Sequence, residues 1–286
     1  MATPTTDTHI GPSDRDDIRA VSEADPDDEV SDEVTGHGLP PGLRLIKTNV
    51  GLTVTPLIVL VGAAVLYFYV RGAGKIFQDE RALDWDRNLR PQLEQHLAIT
   101  MWSTLFTIVI AVPLGILLTR PRYKRAGAPI LAVATSSQAI PAFGLLVLAF
   151  AWLGRGPWTT IWALSLFTLL PVLRNTMVGL EQVDQSVIEA GRGMGLTKRQ
   201  TLRQVELPLA VPVVLAGVRT ALVITVGMAA LAYLVGGGGL GVTISAGLKL
   251  SRDLVLVTGA VMTALVALTI DWIAAVIERT LRPSGL

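Results

Sequence analysis

Gly236-x-Gly238-x-x-Gly241 has the glycine spacing that lets a backbone cradle a dinucleotide pyrophosphate. That chemistry needs a strand before the glycines, and here the run lies between two hydrophobic segments with no strand in front. Nor is it a P-loop: Val242 and Thr243 follow Gly241, and no Lys-Ser/Thr pair appears. The chain has no Walker site for hydrolysing ATP, and the glycines read as a tight external turn. There is no cysteine, which removes disulfides, thiol nucleophiles and cysteine-bound metals. His9, His37 and His96 are scattered, and no Ser/His/Asp set, carboxylate pair or zinc spacing converges on a pocket. Catalysis is rejected on these grounds, and no cofactor or metal is expected in the chain.

The elements around the glycines are of membrane length. Of 286 residues, 51% are hydrophobic and 16% charged, against about 25% charged in soluble domains. The net charge of +1 hides a split: residues 1–38 hold eleven Asp/Glu against Arg15 and Arg19, and the rest is basic. The tail to about Pro41 has too few large apolar residues to offset its ordering entropy and is expected to be disordered. It lacks the basic start and apolar stretch of a secretory signal. Spanning a bilayer takes about 20 apolar residues as a helix, and six segments qualify: 52–70, 97–119, 128–153, 158–178, 211–235 and 253–277. Pro141 predicts a kink in the third, or its division into two. If the spans alternate, twelve Lys/Arg fall on one side, among them Arg120, Arg122, Lys124 and Arg125, against eight on the other. By the positive-inside rule both termini are then cytoplasmic.

Small and polar residues form stripes on three spans: Thr100, Ser103, Thr104, Thr107, Ala111 and Gly115; Gly217, Ala221, Thr225 and Ala229; Ala260, Ala264, Ala267, Asp271 and Ala275. Such stripes let helices approach closely, and close packing is preferred here to a wet pathway. Asp271, costly in lipid, is expected to face protein with Arg219 or Arg174 as its partner.

Between the fourth and fifth spans lies a charged island, Glu189 to Pro208. Ser186 with Glu189 fits a capping box, with Asp184 the alternative cap. The helix they open closes near Gly193 or Gly195, where glycine suits a left-handed turn. Thr197 and Gln200 form a second capping box, and Lys198 to about Glu206 a second short helix ended by Leu207-Pro208, with Pro212 in the first turn of the next span. Leu202 and Val205 fall together among Lys198, Arg199 and Arg203. Two uses fit a polar helix with a small apolar patch: lying on anionic lipid, or entering a groove on a cytoplasmic partner. Two capped helices and a glycine hinge favour the partner.

The island resembles the signature of permease subunits of bacterial ABC importers: Glu-Ala-Ala, three residues, Gly, nine residues, then Ile-any-Leu-Pro. Glu189, Ala190, Gly195, Val205, Leu207 and Pro208 fall on that spacing, with Gly191 for the second alanine and Val205 for isoleucine. The resemblance covers about residues 96–280. The stretches 113–120, 170–176, 189–195, 205–212 and 236–241 look like the osmoprotectant branch, whose members import glycine betaine, choline, carnitine or proline betaine.

This resemblance implies an all-α integral membrane protein with the six-helix type I ABC importer permease fold and cytoplasmic termini, multi-pass in the bacterial cytoplasmic membrane. Residues 1–41 would be the acidic tail, 42–95 the first helix and an external loop, and 96–282 the permease core with coupling loop 181–208. The implied partners are cytoplasmic ATPases that hold the ATP and magnesium, a second permease subunit, identical or not, an extracytoplasmic binding protein, and membrane lipid; no nucleic acid is expected. Thr197 to Glu206 would be the coupling helix, its angle set by Glu189 and Gly195, with Leu202 and Val205 entering the ATPase groove and Ala190, Leu207 and Pro208 completing the coupling element. Gln138 and Pro141 are candidate pathway residues, and Trp102, Phe106, Phe143, Trp162 and Tyr233 are available for cation–π recognition of a quaternary ammonium. The rival readings are an ABC permease for an amino acid or other small solute, a stand-alone secondary transporter or channel, and a membrane anchor serving the tail.

Overall fold

A computed structural model of the chain describes residues 41–74 and 76–281, with side chains from residue 52 onward apart from those of Gln78 and Ser137. The acidic tail, with His9 and His37, lies outside the described residues. The chain divides into two units, Met1–Val50 and Gly51–Leu286, and all the packing below belongs to the second.

Helices α1 (Pro41–Gly72) and α2 (Phe77–Ala82) lead through a wide π turn at Trp85–Leu89 into α3 (Arg90–Leu118). Then come α4 (Lys124–Ala139), α5 (Ala142–Leu153), α6 (Pro157–Phe167), α7 (Leu169–Glu181), α8 (Gln185–Gly193) and α9 (Lys198–Thr201). A second π turn, Leu202–Glu206, opens α10 (Leu207–Ala229), and a 3₁₀ turn at Ala232–Val235 precedes α11 (Gly241–Lys249) and α12 (Asp253–Thr280). No strand forms among the described residues.

Among the described residues five stretches are long and apolar enough to cross a bilayer: Leu52–Gly72, Trp85–Leu118, Pro157–Glu181, Lys198–Ala229 and Asp253–Thr280. The expected span 128–153 is not one helix. Ile140 and Pro141 are extended, with ψ of 127° and 134°, because the proline ring drives the preceding residue out of the helical region and supplies no N–H. Among the described residues the expected third span is therefore divided into α4 and the short apolar α5, and the stretch Pro157–Glu181 is itself interrupted at Thr168, between α6 and α7. Residues 230–235, read as the end of the fifth span, form a separate turn.

The core sits where α3 meets α6, α7 and α10. Ala111, Val172, Leu173 and Ala221 are fully buried there. Two glycines set the spacing. A Cβ on Gly115 would stand 2.8 Å from the Thr176 side chain, and one on Gly217 would stand 2.7 Å from Asn175 and 2.9 Å from the Pro171 carbonyl. The stripe on α3 is buried throughout. The Thr107 hydroxyl lies 2.9 Å from the Ser103 carbonyl and 3.0 Å from the Thr168 hydroxyl, and Ser165 donates across to the Ser103 carbonyl at 3.0 Å. The stripe on α10 is buried too. The stripe on α12 is different, with Ala260 and Ala264 exposed. α1 lies along α12, where Trp272 Nε1 donates to the Leu52 carbonyl at 2.8 Å.

Candidate functional site

The island folds as a compact double turn at one end of the bundle. Asp184 starts α8, its Oδ1 accepting the Ser186 N–H at 2.8 Å. That bond holds the Asp184 carboxyl below the usual carboxylate range. The cap is thus the aspartate, and the Ser186–Glu189 box does not form. α8 closes in a Schellman turn: Gly195 N–H reaches the Arg192 carbonyl at 2.9 Å and Leu196 N–H the Gly191 carbonyl at 3.2 Å. The geometry needs a left-handed residue, which Gly195 supplies at φ +90°. Thr197 and Gln200 then form the expected capping box, the Thr197 N–H donating to Gln200 Oε1 at 2.8 Å.

The second helix does not stop at Leu207-Pro208. α9 widens at Leu202–Glu206, where Leu207 N–H bonds the Leu202 carbonyl five residues back, and continues into α10. A proline ring collides with the carbonyl four residues before it in a regular helix, and a π turn relieves such a clash. Pro208 thereby takes the first turn of α10, and Pro212, assigned to that turn from sequence, lies inside the helix.

Glu189, Ala190, Gly195, Thr197, Leu202, Val205, Leu207 and Pro208 are gathered in this one element. Ile188 and Val183 anchor it, both buried. Leu202 and Val205 are half-buried, and Val205 packs across α8, 3.5 Å from where a Cβ on Gly191 would stand. The outward surface is Met194, 78% exposed, and Val187, with Arg192, Lys198, Arg199 and Arg203 exposed around them. That surface suits a groove with apolar and acidic lining.

Two ionic contacts tie this end together. Arg120, just past α3, donates from Nη2 to Glu206 Oε2 at 2.6 Å, and the Glu206 side chain is 5% exposed. Sequence reasoning missed this pair. The available signal was a lone carboxylate inside Val205-Glu206-Leu207-Pro208, at the same bundle end as the Arg120 cluster. The second contact was one of two expected for Asp271: Arg219 of α10 grips it with two bonds of 2.6 and 2.8 Å. Arg219 also reaches Glu278 at 3.5 Å, seven residues further on and so on the same helix face. The three line an open groove of about 450 Å³ with Ala216 and Thr220.

Gln138 and Pro141 stand apart from the island, at the α4–α5 break. Gln138 Nε2 lies 3.5 Å from the Phe167 carbonyl at the α6–α7 junction, so two helix interruptions meet there. Of the aromatic candidates, Trp102, Phe106 and Trp162 come together with Trp158. Phe106 and Trp162 stack at 4.8 Å, and Trp102 lies 6.4 Å from Trp158. Phe143 and Tyr233 are not in that cluster. Among the described residues no group of three His, Asp or Glu side chains is placed to hold a metal.

Residues 111–283 match the family described as "Binding-protein-dependent transport system inner membrane component". Two relatives come from Bacillus subtilis (strain 168). The choline transport system permease protein OpuBB is 38% identical over 192 residues, 67% of this chain and 88% of the relative. The glycine betaine/carnitine/choline transport system permease protein OpuCB is 40% identical over the same length and shares. Among solved structures, a chain of the inward-facing MetNI methionine ABC transporter superposes with a TM-score of 0.59 at 28% identity. The match covers 68% of this chain and 96% of that one.

Proposed function

Since the chain belongs to the family of binding-protein-dependent transport inner membrane components, we propose that it is the pathway-forming subunit of an ATP-driven importer of quaternary ammonium solutes such as choline, carnitine or glycine betaine. The substrate class is supported by the names of its relatives, which are permeases for choline, carnitine and glycine betaine. The observation that carries the mechanism is the double turn Asp184–Glu206, a preformed, capped element fastened to α3 by Arg120 and continuous with α10.

In this reading a separate ATPase, holding the nucleotide and magnesium, receives the outward surface of the turn. Thr197 to Glu206 is the coupling helix. Glu189 and Ala190 ride on α8, Gly195 sets the angle between the helices, and Leu202 backs the docking face. A push on the turn has two rigid exits: along α9 and the π turn into α10, and through Glu206 and Arg120 into α3. A second permease subunit completes the pathway and an extracytoplasmic binding protein delivers the solute. The excess of Lys and Arg on the side of the turn supports a cytoplasmic position for it and for both termini. Gln138 and Pro141, at the meeting of two helix breaks, line the route.

The test is uptake of labelled choline and glycine betaine into proteoliposomes holding the permease, its ATPase and its binding protein. Uptake should require ATP, and Leu202→Asp should cut uptake and solute-stimulated ATP hydrolysis at least ten-fold while the permease stays inserted. Solute entry through the chain alone, without the ATPase, would sink the proposal. The likeness to the methionine transporter chain supports a second reading with an amino acid as cargo. Competition by methionine but not by choline in the same assay selects it.

A further inference from the structure

α1 is joined to α12 along only part of its length. α10 rises from the coupling turn and α12 returns beside it, with Asp271 bonded to Arg219. The first turns of α12 therefore lie at the end of the bundle away from that turn. Towards the coupling end the seam between α1 and α12 is shut. Trp272 Nε1 bonds the Leu52 carbonyl, and a Cβ on Gly62 would stand 2.8 Å from Leu265 Cδ2.

Beyond Gly62 the seam holds an open groove of about 580 Å³, within the roughly 300–1,000 Å³ of small-molecule sites. Ala63, Leu66 and Val70 line it from α1, Met262 and Val266 from α12, and Leu89 from the π turn. Thr258 also lines it but spends its hydroxyl on the Leu254 carbonyl at 2.6 Å. The lining is apolar except near the end of α1. Arg71, in the last turn of α1, is exposed, its guanidinium carbon 5.0 Å from the centre of the Tyr67 ring. Among the described residues no carboxylate pairs with it. Tyr67 and Trp85, which line the same groove, are each about half exposed. Such rings settle at the headgroup level of a bilayer, and an arginine there lays its stem on apolar surface and holds its charge at the interface.

We propose that this groove is a binding site for one phospholipid of the leaflet away from the coupling turn, with an acyl chain between α1 and α12 and the phosphate on Arg71. Length selects a lipid over a transmembrane helix of a partner. The nine residues from Gly62 to Arg71 rise about 14 Å at 1.5 Å per residue. That is close to the depth of one leaflet, about 15 Å or half the hydrocarbon core, whereas a partner helix would need the whole thickness. Charge selects a phosphate, because a guanidinium grips its oxygens with two parallel bonds. The inference depends on the chain spanning a membrane and not on its cargo.

Native mass spectrometry of the complex purified in detergent through this chain, after incubation with phosphatidylglycerol, tests the site. The wild type should retain at least one such lipid per copy of the chain. Arg71→Gln and Ala63→Trp should each lower that occupancy at least five-fold. Ala64→Trp puts the same bulk on an exposed position outside the lining and should leave occupancy within two-fold, which separates a filled groove from a damaged helix. Diacylglycerol with the same chains and no phosphate should be retained at least five-fold less. Equal retention by the wild type, Arg71→Gln and Ala63→Trp overturns the site, and equal retention of diacylglycerol overturns the role of Arg71. Because the chain has no cysteine, Ala63→Cys also tests a rival occupant: a bismaleimide linking two copies through that position, in a complex whose wild type retains no phospholipid, assigns the groove to a second copy and overturns the proposal.

Discussion

Glu206 is the residue on which the coupling end most depends. Its carboxylate is 5% exposed and reaches Arg120 across 86 positions of sequence. Breaking a buried ion pair by removing one partner strands the other charge, whereas replacing both with apolar groups is often neutral. Arg120 keeps 30% of its side chain in solvent, so water takes over part of its role. Arg120→Ala is therefore expected to cost about 2–3 kcal/mol, at or below the low end for such pairs, as read by unfolding of the purified protein in a titration of denaturing detergent. Glu206→Gln, which still accepts a hydrogen bond from Arg120, should lose less than half as much. Arg120→Met with Glu206→Leu should recover most of the stability, and a double variant as weak as Arg120→Ala would contradict the assignment. Asp271 presented a simpler problem. A carboxylate in an apolar helix demands a partner, and the sequence offered Arg219 and Arg174; only the packing of α10 on α12 selects Arg219 and adds Glu278.

At the scale of elements, what was legible is what short-range chemistry decides. Thr197 and Gln200 cap each other as their spacing predicts, Gly195 takes the left-handed position, and Pro141 divides the third span. The spacing also marked the island as two helices with a hinge. One feature was left open between two caps and two were not legible, each because a nonlocal or competing term decides it. Asp184 displaces Ser186 as the cap of α8. The turn before Pro208 widens instead of stopping, because α10 continues the same axis. Val205, expected on the docking face, packs inward because Gly191 leaves room beside it. Gly191 and Gly195 give opposite predictions. A Cβ on Gly191 would meet Leu196 and Val205 at 3.5 Å, ordinary contact distances, and the residue lies inside α8. Gly191→Ala should therefore stabilise the turn by about 0.5–1 kcal/mol, the helix preference of Ala over Gly, with transport retained. Gly195→Ala has open space around the new methyl but a left-handed backbone, and should cost about 1–2 kcal/mol. Hydrogen exchange at the amides of Leu196 and Thr197 checks both: slower than wild type in the first variant, faster in the second. The same direction in both would refute the account of the hinge.

For the whole molecule, the parts proposed to transmit force fall within the part that resembles known permeases. The family match spans 111–283, the alignments with relatives cover about two thirds of the chain, and the Arg120–Glu206 and Arg219–Asp271 contacts both fall within the matched residues. The first 40 residues lie outside that region and carry eleven acidic side chains. Their composition offers little apolar area to contribute to a core. Charge of that kind acts at range and is screened beyond about 8–10 Å at physiological salt, and the exposed Arg192, Lys198, Arg199 and Arg203 of the turn carry the opposite sign. Removing residues 1–38 should leave the uptake rate at 0.15 M salt within about two-fold of wild type, since screening over a Debye length suppresses the tail's field. If the tail does reach the basic turn, the truncated protein should differ from wild type only at low ionic strength. Uptake by both proteins, followed from about 10 mM to 300 mM salt, across which the Debye length shortens several-fold, separates these outcomes. Loss of transport at every salt concentration would place an essential function in the tail and favour the anchor reading over the permease.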